Sequence, residues 1–114
     1  MNKDQTPPVK PPPTGAELIM AERERQMSEE DWDAQHDNAQ LKAELAQAAI
    51  CYAAEAAARY ETSTQRDELR ALAIRFWPWD GKWWKPTPDD SVRQLTKAGA
   101  LIAAEIDRLQ RLRG

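Results

Sequence analysis

Four of the chain's five tryptophans, Trp77, Trp79, Trp83 and Trp84, fall within eight residues, and Pro78, Pro86 and Pro88 interrupt the same stretch. Proline lacks an amide hydrogen and clashes with the preceding helical turn, and Asp80-Gly81 is a turn signal. Residues 77 to 88 are therefore predicted to form an irregular loop that must place four large rings. They can plug the end of a small helical bundle, or one or two can stand as a stacking wall for a base or a partner side chain. Lys82 and Lys85 sit beside them, suited to phosphate. Both readings can hold together, since different rings can face in and out.

The rest of the chain explains why such a plug is needed. Of its 114 residues 19 are alanine, so large core-forming side chains are few. The length suffices for one modest domain, predicted over residues 14 to 114. Residues 1 to 13 hold five prolines and almost no bulky apolar side chain, and are predicted to be a flexible tail.

Helical periodicity organises the domain. Thr14 and Glu17 form a capping box that opens a helix of about 15 residues. Steps of 100° place Ala16, Ile19, Met20 and Met27 on one side, with Arg23 and Glu30 inside the same arc. From Glu30 to Asn38 the period lapses into a polar connection held by Trp32, and Asp37 or Asn38 is expected to cap a second helix reaching about Tyr60. Its face carries Leu41, Leu45, Ala48, Tyr52 and Ala56, and its many alanines permit close approach of a neighbour. Glu61 to Thr64 is a break, followed by a shorter helix with Leu69, Leu72, Ala73 and Phe76. After the tryptophan loop, Ser91 and Gln94 read as a second capping box. Leu95, Gly99, Ile102, Ile106 and Leu109 then form the stripe of a final helix running to about Gly114. No alternating pattern of useful length appears, so the fold class is all-α with about four helices. Two-sided apolar surface on the last helix points to a homodimer.

Composition removes several classes of function. A single thiol, Cys51, cannot form a disulfide within the chain. No segment approaches the roughly 18 apolar residues of a membrane span, and the N-terminal stretch lacks the apolar core of a signal peptide. A cytoplasmic location is expected. A net charge of −3 argues against general nucleic-acid binding.

Charges on core-facing arcs are the second unusual feature. Arg23 and Glu30 on the first helix, Glu44, Glu55 and Arg59 on the second, and Glu105 on the last all intrude on apolar faces. Glu105 lies near Ala98, Leu101, Leu109 and Leu112 by angle, away from the face carrying Lys97 and Arg108. An unpaired buried charge costs several kcal/mol, so a network such as Arg23 with Glu44 or Glu105 is expected, or else a ligand site. For magnesium, Glu30, Asp33 and Glu44 could converge across a helix hairpin, with His36 as a neighbouring base or ligand. One Cys and one His do not make a zinc site.

The succession Glu22-Arg23-Glu24-Arg25-Gln26, Trp32 with His36-Asp37, Glu44 to Ala53, Trp77-Pro78-Trp79, Trp83-Trp84-Lys85-Pro86 and Lys97 to Ile106 resembles a family of small phage and prophage proteins. The resemblance implies a phage or prophage origin and action in a bacterial host's cytoplasm. A more distant resemblance is to MazG-type nucleoside triphosphate pyrophosphohydrolases, which are all-α and hold magnesium on a Glu-Glu-x-x-Glu motif and a later Glu-x-x-Asp. Here Glu29-Glu30-Asp31-Trp32-Asp33 stands at the first motif, ending in Asp33, and Glu44-Leu45-Ala46-Gln47 at the second, with Gln47 in place of Asp. Two functions are thus expected from different classes. One is a non-catalytic accessory protein that binds a host protein or a small nucleotide through Trp77, Trp79, Trp83, Trp84, Lys82, Lys85, Arg23, Glu105 and His36. The other is a magnesium-dependent pyrophosphohydrolase using Glu30, Asp33 and Glu44.

Overall fold

Helix formation follows the local signals closely. A computed structural model describes residues 10–30, 33–40 and 43–113. The elements are α1 (Gly15–Glu29), α2 (Ala34–Asn38), α3 (Glu44–Ala58), α4 (Ser63–Phe76), a single 3₁₀ turn (Gly81–Trp83) and α5 (Ser91–Arg113). The chain is an all-α small bundle, with no strand among the described residues. The capping box of α1 is present: the Glu17 amide donates to Thr14 Oγ1 at 3.2 Å, and the Thr14 amide donates to Glu17 Oε1 at 3.0 Å. Lys10 to Pro13 lie exposed without regular structure. Residues 1–9 of the tail, Asp31, Trp32, Leu41 and Gly114 lie outside the described residues.

Three boundaries differ from expectation. Residues 33 to 38 do not stay irregular: Asp33 accepts from the His36 amide and nucleates α2. Asp37 consequently sits inside that short helix rather than capping the next, and α3 starts at Glu44 without a side-chain cap. At α5 the cap is Asp90, whose carboxylate accepts from the Arg93 amide at 2.9 Å. The Gln94 side chain is drawn backwards and accepts from the Thr87 amide, so the Ser91–Gln94 box does not form.

The core is built on small side chains. Leu45, Ala48, Ala49 and Tyr52 of α3 meet Ala98, Leu101 and Ala104 of α5, with Trp77, Trp79 and Trp84 packed against them. On the other side of α3, Cys51 and Ala54 meet Ala73 of α4, flanked by Leu69 and Leu72. Alanine faces let helices approach closely, and the rings of Trp77, Trp79 and Trp84 pack against the core they form. Trp77 stands edge-on to Tyr52 at 5.7 Å and to Trp79 at 5.3 Å, and Trp84 lies 4.8 Å from the Tyr52 ring. α1 packs on α5, where Ile19 occupies the space a side chain at Gly99 would need.

Two expected faces are turned. On α1, Ile19 and Arg23 of the expected arc pack inward together with Glu22 and Gln26, while Met20 and Met27 are exposed. On α5 the stripe of Leu95, Ile102, Ile106 and Leu109 faces outward, while Ala98, Leu101 and Ala104 face the core. A helix against an alanine-rich partner gains most by presenting its own small residues, because closer approach multiplies dispersion contacts.

Candidate functional site

Where α1, α3 and α5 meet beneath the tryptophan loop, polar groups gather around a cleft of about 590 Å³. α1 contributes Glu22, Arg25, Gln26 and Glu29, which share one face at helical spacing. α5 contributes Arg93, Lys97 and Leu101, four residues apart. Tyr52 of α3 lines the cleft as well, and Trp83 and Lys85 reach it from the loop.

Glu22 organises the cleft. Its side chain is buried, and Arg25 grips both carboxylate oxygens at 2.8 and 2.9 Å. Arg93, from α5, donates to Glu22 Oε1 at 2.6 Å. Burial opposes ionisation of Glu22, but hydrogen bonds and charge from Arg25 and Arg93 outweigh it and hold its pKa below 4.5. The Gln26 amide donates to Glu22 Oε2 at 3.2 Å, which fixes its orientation and leaves its buried Oε1 without a donor.

Among the described residues the loop and α5 lysines meet carbonyls and rings instead of an ion-pair partner. Lys97 Nζ donates to the Lys85 backbone carbonyl at 2.8 Å and lies 5.3 Å from the centre of the Tyr52 ring. Lys85 Nζ lies 5.7 Å from the Trp83 ring centre, and Lys82 Nζ lies 5.3 Å from it. Among the described residues neither Lys85 nor Lys97 forms an ion pair. Burial, followed by repulsion from Arg93, pushes the Lys97 pKa down from 10.5. An ammonium held half-buried beside another cation gains from a bound anion. Trp83, half exposed, stands over the cleft as its aromatic wall.

The structure sorts the sequence candidates. Trp83 and Lys85 line the cleft, and Lys82 flanks Trp83. Trp77, Trp79 and Trp84 are packed against the core. Trp79 donates to Gln40 Oε1 at 3.0 Å, and with His36, Asp80 and Trp83 it borders a second recess of about 440 Å³. Arg23 pairs with Asp37 at 2.8 Å, not with Glu44 or Glu105, and Asp107 approaches at 3.8 Å. Asp37 is fully buried and also meets His36 Nδ1 at 3.0 Å. Glu105 pairs with Arg108 of its own helix at 2.6 and 3.1 Å, so Arg108 is buried with it rather than on an opposite, exposed face.

The expected magnesium set does not assemble. Glu30, just past the end of α1, lines the same cleft and lies 3.5 Å from Arg25. Asp33 is occupied in capping α2. Glu44 opens α3 beside the Glu105–Arg108 pair, adding a small share to the raised pKa of Arg108, whose main cause is its hydrogen bond to Glu105. Among the described residues no three His, Cys, Asp or Glu side chains group to hold a metal ion. The three acids lie on separate elements because α2 interrupts the hairpin on which their convergence depended.

Sequence reasoning missed the cleft's main residues. Arg25, Gln26, Arg93 and Lys97 were legible as helical surface, and their one signal was the spacing of four between Arg93 and Lys97. Among the described residues no helix is long and apolar enough to cross a membrane. No protein-family model, curated protein or solved structure matches the chain.

Proposed function

We propose that the protein is a non-catalytic binding protein whose ligand is a small nucleotide, held in the cleft between α1, α3 and α5. The observation that carries this reading is the presence around one cavity of two ammoniums that form no ion pair among the described residues, Lys85 and Lys97, together with the half-exposed ring of Trp83; Glu22, Glu29 and Glu30 line the same cavity and all three pair with Arg25. Phosphate would meet Lys85, Lys97 and the outer edge of Arg93, and the base would stack on Trp83. The buried Gln26 Oε1 accepts hydrogen bonds, which suits an amino or imino group on the base. A volume of about 590 Å³ is in the range of small-ligand sites. Glu22 serves as the fixed counter-charge that positions Arg25 and Arg93. With the resemblance to small phage proteins, the ligand pool is that of a bacterial host's cytoplasm, and sequestration of a nucleotide is the role.

The test is titration of the purified protein with nucleoside mono-, di- and triphosphates, following tryptophan fluorescence and thermal stability, with product analysis by chromatography. Binding that quenches fluorescence, leaves the nucleotide intact and is lost in Trp83→Ala and Lys97→Met supports the reading. Equal stabilisation by inorganic phosphate and by nucleotides would remove the base from it. Turnover would replace it with an enzymatic one.

A further inference from the structure

The outward row of α5 takes no part in the cleft. Val92, Leu95, Ile102, Ile106 and Leu109 are 46 to 62% exposed. With Gly99 they run at spacings of three and four in strict alternation along a 23-residue helix. That is the narrow two-in-seven seam of a coiled coil, whereas a helix facing its own core shows a wider stripe. The one position in the row without a side chain, Gly99, is where Ile19 of α1 stands: a Cβ there would collide with Cδ1 and lie 2.7 Å from Cγ1. The row is thus apolar along its length.

We infer that this face binds a second copy of the chain, the two α5 helices packing antiparallel about a two-fold axis. In that register Val92 faces Leu109 of the second copy, Leu95 faces Ile106, and Ile102 faces the Gly99 position, where Ile19 supplies the side chain. The numbers in each pair have one sum, so a single alignment satisfies every layer and the surface is complementary to itself. Beside the seam stand Thr96, Ala98, Ala103 and Gln110, small or uncharged, and Glu105, already paired with Arg108. No like charges therefore confront each other across it. The exposed apolar area of the row, on the order of 500 Å², is at the upper end for a monomer.

Sedimentation equilibrium of the full chain over about 1 to 100 µM reads the association directly. A dimer is expected, with Ile102→Lys monomeric at unchanged helicity. A monomeric wild-type chain at the top concentration, or a dimer that survives Ile102→Lys, overturns the inference. Orientation and face are read independently with Leu95→Cys and Ile106→Cys, which replace exposed side chains. Oxidising the two variants together should link them to each other, while each alone stays unlinked. Homodimeric cross-links in the separate samples, or no cross-link in the mixture, overturn the antiparallel seam. Cys51 is buried and does not compete.

Discussion

The guanidinium of Arg93 lies 2.6 Å from the carboxylate of Glu22, across 71 positions of sequence, and ties α5 to α1 at the floor of the cleft. Arg25 completes the group from the next turn of α1. One carboxylate thereby orders two cations that would otherwise repel each other and Lys97.

Glu22→Gln should lower stability by about 2 kcal/mol, since Arg25 and Arg93 lose their common partner but keep access to water. The pH profile should change with it. The folded-state pKa of Glu22 is depressed, so its contribution is fully present above 4.5 and is lost as pH falls through the folded value. Urea unfolding between pH 3 and 7 should show the wild type losing more stability across that window than the variant does. Parallel profiles would mean that Glu22 does not drive the acid limb.

Lys97→Met separates ligand binding from folding. The ammonium is half-buried, its pKa is lowered by burial and by Arg93, and a thioether retains most of the stem's packing. Stability should stay within about 1 kcal/mol of wild type, while nucleotide affinity falls about tenfold or more. Calorimetric binding and thermal melts on the same sample decide it, and undiminished affinity would place the phosphate elsewhere.

The two neighbouring tryptophans should behave oppositely. Trp84→Ala removes a ring packed on Tyr52 and Trp77, 4.8 and 4.9 Å away, and should cost about 3 kcal/mol. Trp83→Ala removes a half-exposed ring and should cost under about 1 kcal/mol while abolishing the fluorescence response to nucleotide. Chemical denaturation of both variants provides the comparison.

Asp37→Asn should be among the most damaging single changes on the polar side. Asp37 is fully buried and receives Arg23 at 2.8 Å, so neutralising it removes a negative charge in direct contact with a nearly buried guanidinium. A loss of about 3 kcal/mol is expected. A variant as stable as wild type would show that Asp107, at 3.8 Å, takes over the pairing.

Gly99→Ala tests the packing of α1 on α5. Alanine gains about 1 kcal/mol of helix propensity, but its methyl group would have to displace Ile19, so a net loss of about 1 kcal/mol is expected. In an Ile19→Ala background the same substitution should become stabilising. A double-mutant cycle gives the coupling, and additive effects would indicate that α1 shifts freely.

Much of this protein was legible in the amino-acid sequence. Capping chemistry at Thr14 and Glu17 and the prolines after Trp77 set helix ends because these signals act within a few residues of chain, whereas the break expected over Glu61 to Thr64 is shorter, with Ser63 and Thr64 already in α4. The seam on α5 was legible as a pattern, whereas which rings of the tryptophan loop face inward was not. What the pattern did not carry was which face turns inward. Leu95, Ile102, Ile106 and Leu109 are the more apolar stripe, yet Ala98, Leu101 and Ala104 meet α3, because close approach of alanine faces depends on the partner helix and not on the hydrophobicity of one helix alone. The partners of buried charges were beyond sequence for a related reason. Arg23 with Asp37, and Glu22 with Arg93, are set by how α1 and α5 cross, and a crossing angle is a property of two surfaces fitted together. Local backbone chemistry therefore determined the elements, while the cleft, its unpaired lysines and the exposed seam were decided only when those elements packed.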